Sequence, residues 1–199
     1  MSLKGQKTFA YSLTWSQSVS LIHRLNRDNK QRLKLLIALG TFLGLRIGDI
    51  LKFRWRYFFD DSGNLVNRIK VVEEKTGKER IFGINDDLKS IISNTYSNIG
   101  YPVKNECIFV NRWGEVFSKQ YLNQEFKRLK NRYKLDVKNF STHSLRKTFG
   151  VAYLEANNYS EKALYFLMRL YNHASLEDTK RYLAITEEEI VEAYEVLTL

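Results

Sequence analysis

The sequence predicts an α+β fold, mainly α-helical, with a small antiparallel β-sheet of about three strands. Apolar residues recur at helical spacing through most of the chain, and a short central stretch switches to a strand-like pattern split by turn residues. One proline, Pro102, interrupts 199 residues that contain no internal repeat, low-complexity tract or long linker. At 44% hydrophobic the chain can bury one sizeable core, so a single compact domain is the economical reading.

In order along the chain, Trp15, Val19, Ile22 and Leu25 keep helical spacing from Thr14 to Arg27, behind a threonine able to cap the first turn. A second helix, from about Lys30 to Leu43, leaves few polar positions and is expected to be buried on most sides, with Gly44 ending it. Ile47, Ile50 and Leu51 continue the period through a short turn from Arg46 to about Phe53. The runs 65–72 and 80–84 read as a β-hairpin around Lys75, Thr76, Gly77 and Lys78. Cys107 to Val110 is expected as a third strand, after a helix from about Asp86 to Asn98. Five further helices are expected: Ser118 to Tyr133, Ser141 to Ala156, Ser160 to Leu170, Leu176 to Leu183 and Glu187 to Leu197. Each starts near a Ser, Thr or acidic side chain that can satisfy free N–H groups.

Thirty-two Lys and Arg against 22 Asp and Glu leave a net charge of +10, which favours a polyanionic partner, with nucleic acid first among them. The excess is concentrated: residues 111–147 hold ten Lys and Arg against Glu115, Glu125 and Asp136. Lys119, Lys127, Arg128 and Lys147 are the candidate phosphate contacts, although Lys127, Lys130 and Lys134 also fit an ordinary solvated helix face. From Thr186 onward there are five Glu and no Lys or Arg, so the terminal helix is not expected to touch DNA. One cysteine, Cys107, excludes an internal disulfide, and three histidines provide no Cys/His cluster at zinc spacing. Met1 to Gly5 begins no apolar signal region, and no stretch is apolar enough to span a bilayer, so the expected setting is cytoplasmic.

Several polar residues stand where folding alone does not require them. Arg46 follows the Gly44-Leu45 break, and Asp49 lies three residues on, within reach for a surface salt bridge. His143 and Arg146 share one face near a helix N-terminus, where anions are favoured, yet His-x-x-Arg is common by chance. His173 lies between two helices, with Asn172 suited to the left-handed conformation that closes the first. Tyr182, near a helix end, is in isolation more often an amphipathic plug of the core than a nucleophile.

Together these segments resemble a family. Leu43-Gly44-Leu45-Arg46-Ile47-Gly48-Asp49-Ile50-Leu51, then His143-Ser144-Leu145-Arg146-Lys147-Thr148-Phe149, then Asn172-His173 and, eight residues later, Tyr182 look like the three motif boxes of the tyrosine recombinase (phage integrase) family. Lys75 matches the family's β-hairpin lysine, with Lys78 as a substitute. The third box departs from the usual Leu-Gly-His, having Tyr171-Asn172-His173, a change that asparagine's tolerance of positive φ accommodates. The likeness covers about Thr14 to Thr186, leaving 1–13 as a leader or the end of an interdomain linker and 187–199 as a C-terminal helix able to dock in trans. The family's usual N-terminal DNA-clamping domain has no counterpart before Thr14, so a fragment or a minimal member is expected.

The resemblance implies a tyrosine recombinase catalytic domain that cuts and rejoins DNA without metal, ATP or other cofactor, from a phage or other mobile element. Arg46 and Arg146 would clamp the non-bridging phosphate oxygens, Tyr182 would be the nucleophile and Lys75 the general acid. His143 and His173 would hold or shuttle protons, and Asp49 would orient the Arg46 side. The implied partners are double-stranded DNA and other protomers: a monomer in solution that assembles on DNA. Rival readings are type IB topoisomerase-like relaxation, a non-catalytic DNA-binding module and a helical protein-interaction domain.

Overall fold

The computed structural model describes residues 10–75 and 77–184. The chain divides into two compact units, Met1–Phe149 and Gly150–Leu199. The expected helix 187–197 lies outside the described residues.

In the first unit, α1 (Trp15–Arg27) opens with a capping box. The Gln17 N–H donates to Thr14 Oγ1 at 3.2 Å and the Thr14 N–H to Gln17 Oε1 at 2.9 Å, so two otherwise orphaned donors are satisfied. The backbone just before it is also engaged, since the Leu13 N–H donates to Thr148 Oγ1 at 2.9 Å. Helix α2 (Gln31–Leu43) is buried nearly all round, as its composition predicts, and packs against α1 and α4 (Asp86–Asn98). Even Lys34 is buried on it, with its ammonium on Asn26 Oδ1 at 3.0 Å.

Gly44 terminates α2 at φ 60°, ψ 26°, and the single turn α3 (Ile47–Ile50) follows. Strands β1 (Arg68–Val72) and β2 (Glu79–Gly83) form the hairpin, antiparallel with Val71 opposite Arg80 and Val72 opposite Glu79. Among the described residues the sheet has these two strands. The expected third strand at Cys107 to Val110 makes only isolated bridges, Arg54 to Cys107 and Val110 to Val116. Ile108 and Phe109 are both fully buried, so the run has no exposed face, and the Asn111–Gly114 turn ends it before a ladder can extend. The apolar run was legible; its lack of alternation and of a partner strand makes it core loop. A 3-10 turn at Trp55–Tyr57, with Trp55 packed against Tyr96, was not foreseen.

Helices α5 (Lys119–Tyr133) and α6 (Thr142–Ala156) complete this part, and α6 runs on past residue 149. In the second unit, α7 (Glu161–Tyr171) is capped by Ser160, whose Oγ accepts from the Ala163 N–H, and α8 (Leu176–Leu183) by Ser175, which accepts from the Asp178 N–H. Asn172 closes α7 at φ 54°, ψ 47°, the left-handed cap expected of it. Among the described residues no helix is long and apolar enough to cross a membrane.

Candidate active site

Two close approaches bring sequence-distant residues together in the first unit. A Cβ at Gly40 would lie 2.6 Å from Leu145 Cδ1, and one at Gly44 would lie 2.6 Å from Phe149 Cδ1. Glycine at 44 is therefore required twice, by its positive φ and by the ring against it. The contact seats the start of α6 on the end of α2. Arg146, 6% exposed, donates from Nη1 to the Gly44 carbonyl at 2.5 Å and so occupies an acceptor left open at the helix end, two residues before Arg46.

Arg46 precedes α3 in an extended conformation, with its side chain 26% exposed. Its carboxylate partner is Glu73, 1% exposed, at 2.9 Å, and the other oxygen of Glu73 lies 3.4 Å from Arg80 Nε. The salt bridge to Asp49 considered from the sequence is replaced by this one. Asp49, 2% exposed, instead accepts the Glu74 N–H on Oδ1 at 2.9 Å. Asp49 thereby ties α3 to the hairpin turn. Gly48 lies beneath the same turn, where a Cβ would come within 2.9 Å of Glu74 Oε2 and 3.6 Å of Lys119 Nζ.

Lys75 is exposed in that turn. Two lysines of the unit are buried, Lys34 and Lys147, each 3% exposed; burial lowers the pKa of both, that of Lys147 to about 8. Expected among the surface phosphate contacts, Lys147 instead lies beneath the surface, because its position on α6 is on the packed side of the helix. His143 keeps an exposed edge. Lost hydration pushes its imidazole below the usual value, and the positive charges of Arg146, Lys147 and Lys119 push it the same way. Lys119 and Lys127 are exposed on α5, whereas exposed Arg128 is paired with Glu125 one turn back. Glu73 is the functional candidate that sequence reasoning missed. Adjacent glutamates beside turn residues read as solvated loop, and only the folded hairpin reveals the burial.

In the second unit, His173 and Tyr182 pack with ring centroids 5.2 Å apart, and Tyr171 touches both at 5.4 Å. His173 Nδ1 lies 3.0 Å from Thr179 Oγ1, and that buried hydroxyl donates to the Ser175 carbonyl at 3.2 Å. The imidazole is therefore fixed from the N-terminal turn of α8, one turn before Tyr182. Gly150 admits this cluster: a Cβ there would lie 2.5 Å from Leu183 Cδ2 and 2.6 Å from the Tyr171 hydroxyl. Among the described residues no three His, Cys, Asp or Glu side chains converge as metal ligands would.

The first unit is thus a helical scaffold in which buried Arg146 is bonded to the end of α2, two residues before Arg46, and Arg46 is paired with the hairpin through Glu73. The chain belongs to the phage integrase family, whose sequence pattern matches residues 12–189. It is 24% identical over 157 residues to tyrosine recombinase XerH of Campylobacter jejuni, covering 78% of this chain and 42% of that protein. To tyrosine recombinase XerH of Helicobacter pylori it is 25% identical over 166 residues, covering 82% and 44%. The chain therefore spans less than half the length of these relatives. Among solved structures, the XerA recombinase superposes with a TM-score of 0.70 at 18% identity, covering 98% of this chain and 66% of that one. The XerH site-specific recombinase bound to palindromic difH substrate, a post-cleavage complex, gives 0.68 at 20% identity over 96% and 55%. The Tn1549 transposon integrase in complex with transposon right end DNA gives 0.64 at 18% identity over 96% and 67%. These likenesses establish the fold.

Proposed function

We propose that the chain is the catalytic part of a site-specific recombinase of a phage or other mobile element, cutting and rejoining double-stranded DNA through a covalent bond to Tyr182. The observation that carries this reading is the bond from Arg146 to the Gly44 carbonyl, which brings one guanidinium of the expected clamp to the end of α2, two residues before Arg46. Guanidinium forks match non-bridging phosphate oxygens, and their charge is worth most as the pentacoordinate state forms.

In the reaction, Tyr182 Oη attacks phosphorus, the bond to the 5′ oxygen breaks, and a 3′-phosphotyrosyl ester and a free 5′ hydroxyl result. Lys75 donates the proton to the departing oxygen; the exposed turn that carries it would lose water as duplex closes over it. His143, whose pKa is lowered by burial and by the positive charges around it, would hold or shuttle a proton near the phosphate. His173 orders the Tyr182 ring from its anchor on Thr179. Attack by a 5′ hydroxyl on the ester reverses the step and rejoins the strand without ATP. The protein would work as several protomers assembled on DNA.

The test is covalent trapping. The complete gene product, wild type and Tyr182→Phe, is mixed with nicked duplexes tiled across the DNA flanking its own gene, and denaturing gels are read for a protein–DNA adduct. An adduct with wild type alone is expected. No adduct from either protein on any duplex overturns the catalytic reading in favour of a DNA-binding module.

A further inference from the structure

The buried carboxylate of Glu73 holds the side chain assigned to phosphate charge. It is 1% exposed, lies 2.9 Å from Arg46 Nη1 and shares its second oxygen with Arg80 at 3.4 Å. Two cations on one anion leave the cluster net positive, so the pairing orients Arg46 without cancelling the field that a phosphate needs. Glu73 also begins the hairpin turn, donating its N–H to the Lys78 carbonyl at 3.0 Å and accepting the Gly77 N–H at 2.9 Å. The next residue, Glu74, gives its N–H to buried Asp49 Oδ1. Arg46, just before α3, and Asp49, within it, are thereby tied to adjacent residues of the turn that carries Lys75.

We propose that Glu73 is a positioning residue for strand cleavage: it fixes the Arg46 guanidinium for the phosphate and anchors the turn from which Lys75 extends. The assignment rests on the recombinase reading. An arginine has several rotatable bonds, and a charge-assisted pair to a buried carboxylate removes most of its freedom before DNA arrives. Preorganised charge of this kind acts on the transition state more than on binding.

The test compares Glu73→Gln, close in shape but uncharged, and Glu73→Asp, charged but shorter, with wild type. It uses the duplex identified by trapping and a second duplex with a methylphosphonate at the scissile position, which lacks the non-bridging charge that Arg46 would neutralise. Single-turnover cleavage of the ordinary duplex should slow roughly 10- to 100-fold in Glu73→Gln, with the Kd changed by no more than about twofold. On the methylphosphonate duplex the deficit should shrink to within about threefold. Glu73→Asp should follow the same pattern with smaller losses, which keeps the test informative if the Gln protein melts below the assay temperature. Equal deficits on both duplexes, losses in affinity matching those in rate, or wild-type rates in both variants each overturn the proposal. An absence of adduct from wild type overturns the recombinase reading and this one together, whereas a normal wild-type adduct with unaffected variants overturns this one alone.

Discussion

Lys147 is 3% exposed, and burial brings its pKa down from 10.5 to about 8. The unfolded chain binds that proton more tightly, so stability falls as pH drops from about 10.5 to about 8 and the deficit stays constant below that. Lys147→Met keeps apolar bulk without the charge. It should raise the unfolding free energy at pH 7 by up to ~3 kcal/mol and flatten the slope across that window, measured by urea denaturation at a series of pH values. An unchanged slope would mean that the buried ammonium is not what the folded state resists. His143 is displaced the same way in a lower range. Its folded pKa lies below 6.5, so its contribution is fully present above that pH and is lost as pH falls through the folded value. His143→Gln should flatten the acid side of the stability profile; a profile identical to wild type below pH 6.5 would contradict the assigned shift. The sequence made His143, Arg46 and Arg146 visible through the order and flanks of the motif boxes, since each alone reads as an ordinary polar residue. It hid Glu73 and the burial of Lys147, since polar residues declare neither burial nor a distant partner.

Helix α6 sits against α2 because glycine at 40 and 44 leaves room for Leu145 and Phe149, and that contact sets where Arg146 meets the Gly44 carbonyl. Ala at 44 would combine a left-handed backbone with a Cβ in van der Waals overlap with the Phe149 ring. Gly44→Ala should cost about 1–3 kcal/mol in thermal or chemical denaturation. A cost no larger than that of an exposed alanine substitution would mean that the ring moves aside freely. The helix starts were legible to within about a residue, and Thr14, Ser118, Ser160 and Ser175 each lie where the hydroxyl accepts the helix's early N–H. The hairpin was legible from its turn. Cys107 to Val110 was misjudged because strand identity depends on a partner, and its backbone meets Phe53 and Phe117 only at single bonds on either side.

At the scale of the whole molecule, composition alone favoured a polyanionic partner, and it took the order of three motif boxes to turn that into a family. Net charge becomes affinity through counterion release, whose signature is how binding varies with salt. The basic stretch 111–147 contributes unequally: Lys119 and Lys127 are exposed, Arg128 is engaged by Glu125 and Lys147 is buried. If about four phosphates are neutralised, log affinity against log salt should fall with a slope near −3.6. Lys127→Gln should reduce that slope in magnitude by about 1, while Arg128→Gln should change it by less, since its charge is already shared within the helix. Fluorescence anisotropy over a salt series reads all three. A wild-type slope near zero would remove α5 from the DNA-binding surface, and equal effects of the two substitutions would mean that Arg128 leaves Glu125 for phosphate on binding.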